Sequence, residues 1–140
     1  MKPLHYFSTT VGLIGGILAQ LVGGWDQAMI TLVLFMVIDY ITGLIVAGAG
    51  KSTKTKSGSL NSHIGFIGLS KKLLVMLYVI IATRLDMLLN LTFCRDAVII
   101  GFIVNELISI VENAGLMGIP IPSVITNAID VLKKKGENNG

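Results

Sequence analysis

Charge is scarce in this chain. Only 14% of its 140 residues are Asp, Glu, Lys or Arg, against roughly 25% in soluble domains. Hydrophobic residues make up 53% and the mean hydropathy is +0.80. One domain of this length cannot bury such an excess, so a bilayer is the expected solvent. Cysteine is nearly absent. Cys94 alone rules out an intrachain disulfide and any CxxC metal ligation. It reads as a small apolar residue near the membrane surface, with a disulfide between subunits as the alternative. Aromatics are few and do not alternate with the lysines. The net charge of +3 therefore points to anionic lipid head groups rather than nucleic acid. His5 and His63 stand without companion ligands, and no nucleophile–base pair or phosphate loop is spelled out. Neither an enzyme nor a cofactor is expected.

Acid is missing altogether from Lys51 to Lys72, which carries Lys51, Lys54, Lys56, Lys71 and Lys72 among Ser, Thr, Gly and Asn. A basic, polar stretch between apolar runs reads as a cytoplasmic loop, 51–72, that fixes membrane orientation. Charge is also missing from Pro3 to Trp25. About 20 helical residues at 1.5 Å each cross a hydrocarbon core, so a first span is expected over 5–24. A cleaved signal peptide would need small residues at −3 and −1. Ile17 stands at −3 from Ala19, so cleavage is not expected. Gly12, Gly16, Ala19 and Gly23 align on one helical face that admits close approach of another helix.

The second span, 27–47, holds one ionisable group, Asp39. Its Leu, Ile, Val and Phe residues contribute about −0.3 to −0.6 kcal/mol each against about +3 for the aspartate, so insertion is favoured. Gly43 and Ala47 repeat the small-residue spacing. A third span, 73–93, is near break-even because Arg84 and Asp86 offset its apolar residues. Two residues apart, they do not face each other, so each should pair with another helix. In the fourth, 97–116, Asn105, Glu106, Ser109, Glu112 and Asn113 share one face. That face lines an aqueous space or an oligomer seam, or else looks out from a helix lying on the membrane. Pro120 and Pro122 stop this helix. An interfacial tail helix over 123–135 follows, ending in Lys133, Lys134 and Lys135 at the cytoplasmic leaflet; residues 136–140 are expected to be disordered.

Lysines then fall on one side and the short turns around Asp26 and Arg95 on the other. The expected fold is a single all-α integral membrane domain over 1–140. It has four transmembrane helices, N-in and C-in, plus a short C-terminal amphipathic helix. Two spans plus interfacial helices satisfy the same charge rule.

Four stretches in order resemble a known family. They are LFMVIDYITGLIVA at Leu34–Ala47, SHIGFIGLSKK at Ser62–Lys72, VNELISIVEN at Val104–Asn113 and GIPIP at Gly118–Pro122. Together they resemble the toxin-secretion/phage-lysis holins of phages of Gram-positive bacteria. The pattern departs at His63 and Ile67, where that family often has lysines. The resemblance implies a multi-pass protein of the host bacterial cytoplasmic membrane that opens at a set time. Its hole releases an endolysin or a toxin as cargo. On this reading its partners are copies of itself and anionic lipid. Asp39 and the Asn105–Asn113 face would turn toward a neighbouring subunit or a water-filled lesion, with Arg84 compensating acidic neighbours. Two other classes fit the same charges: a small ion channel or proton-coupled transporter subunit, and a passive scaffold.

Overall fold

The computed structural model describes residues 2–139, which form five helices and no strand. They are α1 (Lys2–Leu21), α2 (Gln27–Gly48), α3 (Ser62–Leu89), α4 (Cys94–Leu116) and α5 (Ser123–Asn139). The first four are each long and apolar enough to cross a membrane. The fold is thus the expected all-helical, four-span type with a fifth, amphipathic helix.

Local chemistry sets the boundaries. Asp26 Oδ1 accepts the Met29 N–H at 2.9 Å and starts α2. Asn61 does the same for α3, accepting the His63 N–H at 2.8 Å. The first turn of α4 is capped from outside, since the Asp86 carboxylate accepts the Cys94 and Arg95 N–H groups, each at 2.9 Å. Asn90, left-handed at φ 53°, ends α3.

Three boundaries correct the sequence expectations. Helix α1 ends at Leu21, short of the expected 24, because Gly23 and Gly24 adopt positive φ. Helix α3 begins at Ser62, so residues 62–72 of the expected loop are helical, and it ends four residues before 93. Glycines and lysines hid its periodicity: Gly65, Gly68, Lys72, Val75, Val79 and Ala82 lie at spacings of three and four and turn one face to the bundle. Helix α5 continues to Asn139 through most of the stretch expected to be disordered.

Helix α4 is the hub, packed against α2, α3 and α5. The core joins Val22, Met29, Leu32, Met36, Val79, Ile99 and Ile103, with Leu132 of α5 resting on it. Helix α1 contributes no buried residue. Its apolar side chains, from Leu4 and Phe7 to Leu18, are exposed, the state of a helix whose solvent is lipid.

Helix α5 departs from the interfacial placement. After the turn at Gly118 (φ 79°) and the two prolines, it returns alongside α4. Ile129 is buried, and a Cβ on Gly136 would sit 3.4 Å from Ile100 Cγ2. Lys133, Lys134 and Lys135 therefore lie beside the span rather than below it. All three are exposed.

Candidate functional site

Three helices bring charge together at one depth. Lys72 Nζ lies 2.7 Å from Asp39 Oδ2 and 2.7 Å from Glu106 Oε2. The side chains are 15%, 10% and 8% exposed respectively, so the cluster is largely shielded. Counting at 1.5 Å per residue, Asp39 is about 13 Å from the C-terminal end of α2 and Glu106 about 15 Å from that of α4. Lys72 is about 15 Å from the start of α3. Short charge-assisted bonds of this kind are the strong ones.

Asn113 completes the cluster. Its Nδ2 donates to Asp39 Oδ1 at 3.2 Å and to Thr42 Oγ1 at 2.9 Å, close against Gly43. Tyr40 sits over Gly65 and Gly68, its hydroxyl donating to the Gly65 carbonyl at 3.3 Å. A Cβ on either glycine would make ordinary contact with Tyr40, at 3.5 and 3.7 Å. Among the described residues, no buried side-chain nitrogen or oxygen lacks a partner.

A cleft of about 400 Å³ leads from the 51–61 loop to this cluster. Lys54 and Lys71 stand on its walls with Asn105, Ser109 and Glu112. Apolar residues, among them Leu44, Ile64, Val75 and Ile108, line it beside these polar ones. The polar face of α4 is divided. Glu106 and Asn113 are buried against α2 and α3, whereas Asn105 and Glu112 are exposed along the cleft. Ala47 is buried one turn beyond Gly43.

A second cluster sits where α2 and α4 begin. The Arg95 guanidinium donates to Asp26 Oδ2 at 2.7 Å, to the Gly24 carbonyl at 3.0 Å and to the Val22 carbonyl. It pins the turn between α1 and α2 onto the start of α4. This bond set holds Asp26 below the usual aspartate range, the hydrogen bond from Arg95 being the largest cause. Gly23 belongs here. A Cβ on it would lie 2.7 Å from Arg95 Nε, so its small size serves the guanidinium and not a helix–helix face.

The remaining sequence candidates are scattered. Gly12 and Gly16 face open space and Ala19 is half-buried. Asp86 reaches another helix as expected, through the start of α4, but Arg84 does not. Arg84 is exposed and approaches only Met87 Sδ, at 3.8 Å, while Asp86 caps α4. Arg84 stands near the end of α3, where its long stem can carry the charge to the interface. Lys51, Lys56 and Lys133–Lys135 are exposed.

Sequence reasoning placed Lys72 with the lipid-facing lysines, yet it is the one cation of the inner cluster. Adjacent residues on a helix point about 100° apart, so Lys71 turns outward while Lys72 continues the Gly65–Gly68 stripe inward. Arg95 and Asp26 went unassigned because they are 69 positions apart. No local spacing links them.

Four span-length helices, three of them joined by a charge cluster near mid-length, define a multi-pass membrane protein. Its family follows from comparison with known proteins. The sequence pattern of the bacteriophage holin family matches residues 16–134, and the chain belongs to that family. It is 37% identical to an uncharacterised protein of Halalkalibacterium halodurans over 95% of this chain and 96% of the other. A Listeria monocytogenes protein, also uncharacterised, is 40% identical over 89% of this chain and 85% of its own. A probable holin of Bacillus phage phi105 is 32% identical over 72% of this chain and 70% of its own. No solved structure matches.

Proposed function

We propose that this chain is a holin that accumulates in the cytoplasmic membrane of a bacterial host, self-associates and opens lesions wide enough for a folded endolysin or toxin. The observation that carries this beyond family membership is α1. It is a span-length helix with no buried residue, held to the bundle through the pinned turn at Val22–Asp26. Its Gly12–Gly16 face is open to a second helix. Asp39 and Glu106 share Lys72 within one protomer, so most of the mid-span charge is answered there without a partner. That favours quiet accumulation before assembly, with α1 as the contact and not the Asp39 face.

The cleft supports a second reading, a small channel whose ion path ends at the Lys72 cluster. Inducible expression in bacteria with an endolysin and a folded cytoplasmic reporter separates the two. Abrupt death with reporter escape and endolysin-dependent lysis is the expected outcome. Ion leakage with the reporter retained would transfer the assignment to a channel. Unchanged permeability at full membrane expression would leave a scaffold.

A further inference from the structure

The tail helix is sharply two-sided. Ile125, Ala128, Ile129, Leu132 and Gly136 form an apolar stripe, and Ile129, Leu132 and Gly136 of it meet the α4 side of the bundle. Thr126, Asn127, Asp130, Lys133, Lys134 and Glu137 form the opposite stripe at spacings of three and four, and every one is exposed. Helix α4 descends from Cys94 to Leu116, and α5 climbs back until Gly136 meets Ile100. Ile100 is six residues into α4, about 9 Å from its far end. The lysines are thus carried most of the way across the span.

That position is incompatible with lipid on the outer side of α5. Charged side chains at such depth face protein or water, and among the described residues nothing covers this stripe. A dispersed monomer can satisfy the helix in another way, with α5 detached and flat on the cytoplasmic surface, its lysines among anionic head groups. We infer that docked α5 is the wall of an aqueous lumen: in the assembled lesion each α4–α5 hairpin turns the Asn127–Glu137 stripe to water, and α5 leaves the membrane surface to take that place. The inference rests on the lesion reading above. It adds which surface is wetted and what moves.

The close approach of Gly136 to Ile100 supplies the test. In a Cys94→Ser background, Ile100→Cys and Gly136→Cys would lock α5 against α4 on oxidation and free it on reduction. The full-length protein is placed in liposomes containing anionic lipid and a trapped folded fluorescent protein. The locked protein is expected to release the reporter as fully as the reduced one. Adding Lys133→Leu and Lys134→Leu to the locked protein should abolish release, because the lumen loses its wetted wall. Release by the reduced form only, failure of the disulfide to form in a releasing sample, or undiminished release after the leucine substitutions would each overturn the inference. Should the reduced protein and its Cys94→Ser parent release nothing, the lesion reading itself fails, and this one with it.

Discussion

The two ion clusters are built from similar parts and solve different problems. At one end Arg95 is buried, but its partner Asp26 is 51% exposed and the remaining acceptors are carbonyls of a turn. Charge there is a fastener. Near mid-length Lys72 holds two carboxylates, all three groups are shielded, and they come from three different helices. Charge there ties α2, α3 and α4 to one another. The contrast locates the electrostatic burden: one cation more or less matters far more where every charge is shielded.

The largest effect should follow Lys72→Met. Asp39 and Glu106 would be left facing each other without a cation, and breaking such a shielded pair costs about 3 to 5 kcal/mol. The expected result is a marked loss of thermal stability in detergent and poor accumulation in membranes. Adding Asp39→Asn and Glu106→Gln should restore most of it, since the neutral groups can hydrogen-bond to one another. Persistent instability of the triple variant would mean that Lys72 acts through packing and not charge.

Arg95→Met should come next, at about 2 to 3 kcal/mol, because charge-assisted bonds to a buried carbonyl and a carboxylate are lost together. Its signature should be local. Hydrogen exchange is expected to rise in the Val22–Asp26 turn while the α2–α3–α4 interior stays protected. Loss of protection throughout would erase the distinction between fastener and keystone. Gly23→Ala strikes the same fastener by sterics. The positive φ of 81° and the clash with Arg95 predict about 1 to 3 kcal/mol, readable as a lowered melting temperature.

How far the sequence discloses this arrangement depends on periodicity. Four apolar runs declare four helices, and the Asn105–Asn113 spacing declares a polar face. Asp39 and Glu106 were legible as costly charges that need an answer. The answer was not, because Lys72 sits beside Lys71 in a stretch whose composition says loop while its three-and-four spacing says helix. The Arg95 fastener joins residues far apart in sequence and depends on a turn conformation that no run of residues announces. The placement of α5 was hidden for another reason. Its amphipathic pattern suits a membrane surface and a bundle groove equally well, and the contacts of Ile129, Leu132 and Gly136 distinguish them.

The smallest effect, and the finest test of the contrast, belongs to Asp26→Asn. Because Arg95 holds the folded-state pKa of Asp26 below its ordinary value, the pair stabilises the fold fully above about pH 4. That contribution disappears as pH falls through the lowered folded value. The half-exposed carboxylate is screened by solvent, so the loss at neutral pH should stay within about 1 kcal/mol. Asparagine keeps an acceptor for the Met29 N–H and for Arg95, which limits it further. Thermal melts of wild type and variant in detergent should therefore differ slightly at pH 7 and converge in acid. If they diverge in acid instead, the Asp26 charge is not what the outer cluster gains from Arg95. The fastener would then consist of the carbonyl bonds to Val22 and Gly24 alone.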